Sequence, residues 1–149
     1  LATKGTLSST LFSKTSEKFT TDINVIEQVG KGLVQLIENG HLHSDEMTEL
    51  LHTYLQPMIK ENIDYLVLGC THYPYLIPQI QKIVGGNVAI IDSGLAVARQ
   101  TNAILEKMSL KTTSDEVGKH QFYINTNTAV LQTILSDVKL NHSVKKLDF

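Results

Sequence analysis

The sequence predicts an α/β fold in which a parallel sheet carries helices on both faces. Short runs of aliphatic and β-branched residues alternate along the chain with segments of helical periodicity. Such alternation is typical of a parallel sheet, since each crossover between parallel strands needs a connecting segment. With 149 residues, 42% of them hydrophobic and 19% charged, the chain is long and apolar enough to bury a core.

The composition also excludes several classes of protein. The net charge is −2 and no basic stripe appears, which argues against a nucleic-acid or membrane-surface partner. No apolar run approaches the roughly 18 residues of a membrane span, and the first residues do not resemble a signal peptide. A chain with one cysteine cannot form an internal disulfide. We therefore expect a cytoplasmic location.

The first third of the chain combines a threonine-rich turn with two apolar segments. Leu1 and Ala2 are typical of a strand end, and the hydroxyls of Thr3 and Thr6 follow on either side of a glycine. From spacing alone these threonines are helix caps, although the same hydroxyls could bind a ligand. We predict a strand over Thr21–Glu27 and a short apolar helix that ends at Glu38.

A clear amphipathic helix follows. Ser44 is a good N-cap, and apolar residues then recur at intervals of three and four. These residues are Met47, Leu50, Leu51, Tyr54, Leu55, Met58 and Ile59.

The remaining elements keep the alternation. A buried strand is predicted at Tyr65–Leu68, and a long helix begins at Asp92-Ser93-Gly94. The apolar face of that helix (Leu95, Ala98, Ile104, Leu105 and Met108) has the spacing of a packing stripe. The other predicted elements are a helix over Leu76–Val84, a strand over Asn87–Ile91, a polar loop over Lys111–Lys119, a strand over Gln121–Asn125, a helix over Thr128–Val138 and an extended segment over Val144–Phe149.

The residues best suited to chemistry follow the Tyr65–Leu68 strand. Gly69 permits a tight turn, and Cys70, Thr71 and His72 come directly after it. Ligands bind at the carboxyl ends of strands in open α/β sheets. A helix N-terminus just beyond a cysteine favours its thiolate form. A lone cysteine is more often a small buried hydrophobe, but this one lies in a polar loop at a strand end.

Three motifs resemble one family. Leu68-Gly-Cys-Thr-His-Tyr-Pro74 is similar to the second catalytic-cysteine signature of the glutamate racemases, in the cofactor-independent amino-acid racemase superfamily. Ala2-Thr-Lys-Gly-Thr-Leu-Ser-Ser9 resembles the threonine-rich loop that opens the second half of that family. Leu33-Val-Gln-Leu-Ile-Glu-Asn-Gly40 resembles the segment that carries its auxiliary glutamate.

The resemblance implies the interconversion of L- and D-glutamate without a cofactor, which would supply D-glutamate for peptidoglycan. It implies that Cys70 exchanges a proton with one face of the substrate, that His72 assists and that Glu38 either orients the histidine or tunes the local charge. By the same resemblance, Thr3, Thr6 and Thr71 donate hydrogen bonds to the substrate's carboxylates. No metal is implied.

The resemblance covers only the later part of the family's chain. It implies that residues 1–92 form the second catalytic lobe and that residues 93–149 return to complete the first lobe. The family's other cysteine is absent from this sequence, so we expect a fragment that is catalytically silent alone. We also expect a homo-oligomer or a segment-swapped dimer, because the stripe on the long helix needs a partner.

Alternatives remain open. A decarboxylase that needs a single cysteine, or another racemase of the same superfamily, would share these motifs. A non-catalytic binding or assembly domain is the alternative from a different class. His41, His43 and His52 do not predict a metal site, since no cysteine or carboxylate has the spacing to complete a ligand set.

Overall fold

The computed structural model describes residues 1–20, 22–136 and 138–149. The chain divides into two compact units, Leu1–Ala96 and Val97–Phe149. Each unit contains a pair of parallel strands together with helices, so the predicted parallel α/β class is confirmed.

The sheet of the first unit is centred on β1 (Tyr65–Val67). β1 pairs in parallel with β2 (Ala89–Ile91) on one side. On its other side, Ala2 forms parallel bridges to both Gly69 and Val29. The spatial order is therefore residues 28–30, residues 1–2, β1 and β2. The expectation that Leu1 and Ala2 form a strand end agrees with this pairing.

The helices of the first unit begin at residues suited to capping. The side chains of Thr3, Ser9 and Ser44 each accept a hydrogen bond from a backbone N–H in the first turn of the helix that follows. The helices are α1 (Lys4–Leu7), α2 (Thr10–Phe19), α3 (Leu33–Glu38), α4 (Asp45–Lys60) and α5 (Ile77–Val84), and a 3₁₀ turn (Tyr73–Leu76) leads into α5.

The core of the first unit lies on one side of its sheet. Leu66 and Leu68 are buried, whereas Tyr65 and Val67, which point to the opposite face, are more than half exposed. The predicted stripe of α4 is confirmed as core packing, because α4 contacts both α3 and α5. The buried residues of α4 are Met47, Leu51, Leu55 and Met58.

The second unit contains a strand–helix–strand arrangement. β3 (His120–Ile124) pairs in parallel with β4 (His142–Lys146), in a register that sets His120 opposite His142. α7 (Thr128–Ile134) connects the two strands. The long helix α6 (Gly94–Lys107) begins as predicted, since Asp92 Oδ1 accepts a hydrogen bond of 2.7 Å from the Gly94 nitrogen. Every residue of α6 is exposed, so its apolar stripe has no packing partner among the described residues.

Several predicted boundaries were wrong. Thr21 lies outside the described residues, and residues 22–27 form no strand, because the backbone pairing to Ala2 occurs at residues 28–30 instead. The helix α2 was not predicted, because none of its residues is buried to reveal a stripe. The predicted helix over Thr128–Val138 stops at Ile134, while the extended segment predicted over Val144–Phe149 begins two residues earlier and ends at Lys146.

Within the described residues, the structure contains no helix that combines the length and the apolar character required to traverse a bilayer.

Candidate active site

An open cleft of about 780 Å³ lies in the first unit at the carboxyl ends of the parallel strands. Residues that directly follow Ala2, β1 and β2 all reach it, as expected for a ligand site in an α/β sheet. Its lining consists of Thr3, Thr6, Val34, Val67, Leu68, Gly69, Cys70, Thr71, His72, Ile91, Asp92, Ser93 and Ala96.

Cys70, His72 and Glu38 form a connected line of functional groups. The Cys70 sulfur lies 3.9 Å from His72 Nδ1, and His72 Nε2 lies 3.2 Å from Glu38 Oε1. A neutral imidazole with its proton on Nε2 would donate to Glu38 and leave the Nδ1 lone pair for the thiol proton. The histidine side chain is 33% exposed and the glutamate side chain 60% exposed, so solvent reaches this line from the glutamate end.

Glu38 is brought to His72 by the segment that precedes α3. The hydroxyl of Tyr73 donates to the Gly30 carbonyl over 3.0 Å, and the hydroxyl of Tyr54 donates to the Lys31 carbonyl over 2.7 Å. A Cβ atom at Gly30 would collide with the Tyr73 hydroxyl, so only glycine permits this approach. The two tyrosines thereby fix the chain just ahead of the helix whose last residue is Glu38.

The two threonines of the N-terminal loop contact each other. Thr3 Oγ1 lies 3.0 Å from Thr6 Oγ1, and Thr6 Oγ1 donates to the Gly69 carbonyl over 3.1 Å. Thr3 also caps α1, because its side chain accepts from the Thr6 backbone nitrogen. Thr3 therefore caps a helix, and both threonines also line the cleft.

Thr71 differs from the other hydroxyls of the cleft. It lies between Cys70 and His72 and is exposed. Among the described residues, its hydroxyl makes no hydrogen bond, whereas Thr3 and Thr6 bond each other. The Thr71 hydroxyl is thus free to donate a hydrogen bond to a ligand.

Sequence reasoning did not assign Tyr73 or the Asp92-Ser93 pair to the site. Tyr73 is fully buried, and this burial raises the pKa of its hydroxyl to about 12, with nearby Cys70 and Tyr54 adding to the shift. Asp92 and Ser93 were predicted only as the start of a long helix, yet they also line the cleft. Their position directly after β2 could have indicated that Asp92 and Ser93 belong to the site, because ligands bind at the carboxyl ends of strands.

The remaining histidines do not join the cleft lining. His43 Nδ1 lies 3.4 Å from the Gln79 amide nitrogen, outside the cleft. In the part of the chain that the structure describes, no three histidine, cysteine or carboxylate side chains are grouped so that they could hold a metal ion.

Comparison with known proteins assigns the family. The family model described as Asp/Glu/Hydantoin racemase matches residues 1–101, more than half of the chain. The chain belongs to the Asp/Glu/hydantoin racemase family. The Cys70 loop, the threonine loop and Glu38 all fall within the matched region.

Within this racemase family, the similar curated proteins are named glutamate racemase. The protein of Pseudomonas putida strain F1 is 42% identical over 135 residues, which are 91% of this chain and 51% of the relative. That of Ralstonia pickettii strain 12J is 47% identical over 111 residues, 74% of this chain and 39% of the relative. The chain thus spans about half the length of the curated relatives it matches, or less.

Solved racemase structures share the fold. A glutamate racemase isoform from Bacillus anthracis aligns with a TM-score of 0.80 and 29% identity, over 99% of this chain and 56% of that structure. The Escherichia coli glutamate racemase, in complex with L-glutamate and the activator UDP-MurNAc-ala, aligns with a TM-score of 0.76 and 25% identity. That alignment also covers 99% of this chain and 56% of the solved one.

Proposed function

We propose that this chain supplies one acid–base half of a glutamate racemase site, which interconverts L- and D-glutamate without a cofactor. The observation that carries the proposal is the line from Cys70 through His72 to Glu38 at the edge of the strand-end cleft. Membership of the racemase family and the names of the similar curated proteins support glutamate as the substrate.

The chemistry of inversion explains the choice of residues. Inverting the α-carbon requires a base on one face of the substrate and an acid on the other. A thiolate suits this task because the pKa of a thiol can be tuned towards the working pH, where general acid–base catalysis is most effective. We assign that role on one face to Cys70. His72 would assist the proton exchange of Cys70, and Glu38 would hold the imidazole in the required orientation.

The substrate's carboxylates need hydrogen-bond donors. Arg99 is the only arginine of the chain and does not line the cleft, so a bidentate arginine clamp is not available there. We propose that glutamate occupies the volume lined by Thr3, Thr6, Cys70 and Thr71. The free hydroxyl of Thr71 is the first candidate donor.

The opposite face needs a second acid–base group. We propose that residues 1–92 act as one catalytic lobe and that residues 93–149 complete the other, in a protein or an assembly that supplies the second cysteine. The exposure of α6 supports this division, because its apolar stripe has no buried residue and no partner among the described residues. The isolated chain would then be silent, and a homo-oligomer or segment-swapped dimer would cover the stripe.

The product would be D-glutamate for peptidoglycan synthesis in the cytoplasm. This placement follows from the proposed activity and from the single cysteine, which needs no oxidising compartment.

A binding titration tests the proposal directly. We expect both glutamate enantiomers to shift the backbone NMR signals of residues 69–72. Thr71→Val should weaken that binding by about tenfold, the usual effect of losing a hydrogen bond to a charged group. Thr53→Val is the matched control, since it removes an exposed helical hydroxyl that bonds only to the Glu49 carbonyl. Saturation by neither enantiomer would contradict glutamate as the substrate.

A further inference from the structure

The hydroxyls of Thr3 and Thr6 form a chain with one direction. Thr6 Oγ1 donates to the Gly69 carbonyl over 3.1 Å, and a hydroxyl carries only one hydrogen. The 3.0 Å contact between the two hydroxyls must therefore be donated by Thr3. Thr3 Oγ1 in turn accepts from the Thr6 backbone N–H over 3.3 Å. Both hydroxyl hydrogens are thus used inside the protein.

This direction limits what the two threonines can offer a ligand. A carboxylate has only acceptor oxygens, so it needs donors from the site. In this arrangement Thr3 and Thr6 present lone pairs, which do not bind a carboxylate. Thr3 could donate to a substrate only by turning its O–H away from Thr6. Thr6 could do so only by releasing Gly69.

Gly69 lies between β1 and Cys70, directly before the cysteine. Its nitrogen donates to the Leu1 carbonyl over 2.9 Å, and its carbonyl accepts from Thr6. A Cβ atom at this position would lie 2.8 Å from the Ala2 Cβ, so the loop approaches the N-terminal segment closely. On the far side, the Cys70 carbonyl accepts from the Tyr73 nitrogen over 3.2 Å. Cys70 is therefore held between two fixed peptide groups.

We propose that Thr6 is a positioning residue: its hydroxyl fixes the Gly69 peptide, and through it the Cys70 sulfur beside His72, instead of donating to the substrate. Thr3 supports this arrangement by donating to the Thr6 oxygen. The catalytic meaning of the role rests on the proposed racemase function, whereas the positioning itself is a property of the loop.

Amide hydrogen exchange of the full 149-residue chain tests the positioning. In Thr6→Val, which keeps the shape and removes the hydroxyl, the Tyr73 amide should exchange about tenfold faster, as expected for the loss of one hydrogen bond. Thr6→Ser should restore the wild-type rate. Thr53→Val controls for the loss of a threonine hydroxyl, and the Leu55 amide in α4 reports any global change in stability.

Two results would overturn the proposal. Equal acceleration of the Tyr73 and Leu55 amides in Thr6→Val would mean that the hydroxyl stabilises the whole unit and not the loop. An unchanged Tyr73 rate in Thr6→Val would show that the hydroxyl does not fix the loop, and a loss of glutamate affinity as large as that of Thr71→Val would then make Thr6 a direct substrate donor. If the wild-type chain binds neither enantiomer, the proposed function fails, and the exchange rates still decide the role of Thr6.

Discussion

At the scale of single residues, the site depends on contacts between distant parts of the sequence. Cys70, Thr71 and His72 could be predicted because one local rule, the strand end, places them together. The contact of His72 with Glu38 crosses 34 positions, so only the family resemblance suggested it. The bond from Thr6 to Gly69 spans 63 positions and left no local signal. Hydrogen-bond direction is a property of the folded loop and cannot be read from residue types.

Tyr73 gives a prediction about pH. Its pKa is raised to about 12 from an ordinary value of 10.0, so the folded state keeps its proton at a pH at which the unfolded chain loses it. The contribution of Tyr73 to the stability of the folded state is complete below pH 10. It is lost as the pH rises towards 12, by about 1.4 kcal/mol per pH unit.

Tyr73→Phe removes both the pH dependence of stability that Tyr73 causes and the hydrogen bond to Gly30. At neutral pH the variant should be less stable by about 1–3 kcal/mol, because the buried Gly30 carbonyl loses its partner. Between about pH 10 and pH 12 the difference from wild type should shrink. Urea unfolding across this range measures it, with Tyr75→Phe, a more exposed ring, as the control. Parallel curves for wild type and Tyr73→Phe would refute the assignment.

At the scale of elements, prediction succeeded where burial leaves a periodic signature. α4 was recognised because its buried residues recur at three and four. α2 was not predicted, because none of its residues is buried and it therefore shows no buried stripe. The apolar residues Ile23 and Val25 suggested a strand, yet both are exposed and the backbone pairs at residues 28–30. Apolar alternation does not by itself say which segment finds a partner strand.

The exposed stripe of α6 predicts self-association. Leu105 belongs to that stripe, and exposed apolar surface costs about 25 cal/mol per Å² in water. Leu105→Glu should lower the sedimentation coefficient of the purified chain towards that of a monomer. Ala103→Glu is the matched control, since it lies two positions away and so on the opposite side of the helix. Equal sedimentation of both variants and wild type would exclude α6 as the contact.

At the scale of the whole molecule, the proposed function assigns this sequence a site for one face of a substrate. The cleft has one thiol, and the chain spans about half the length of its curated relatives. The α/β class and the order of most elements could be predicted, because short apolar runs alternate along the chain with segments of helical periodicity. The second face could not be predicted, because no residue of this sequence provides a second thiol.

Circular dichroism of L-glutamate tests the one-face claim most directly. The signal should stay constant for hours with the purified chain alone. It should decay when the chain is refolded with the part of the Pseudomonas putida glutamate racemase that it does not match, and that decay should vanish in Cys70→Ser. A steady loss of optical activity with the chain alone, or a decay in the mixture that survives Cys70→Ser, would contradict the account.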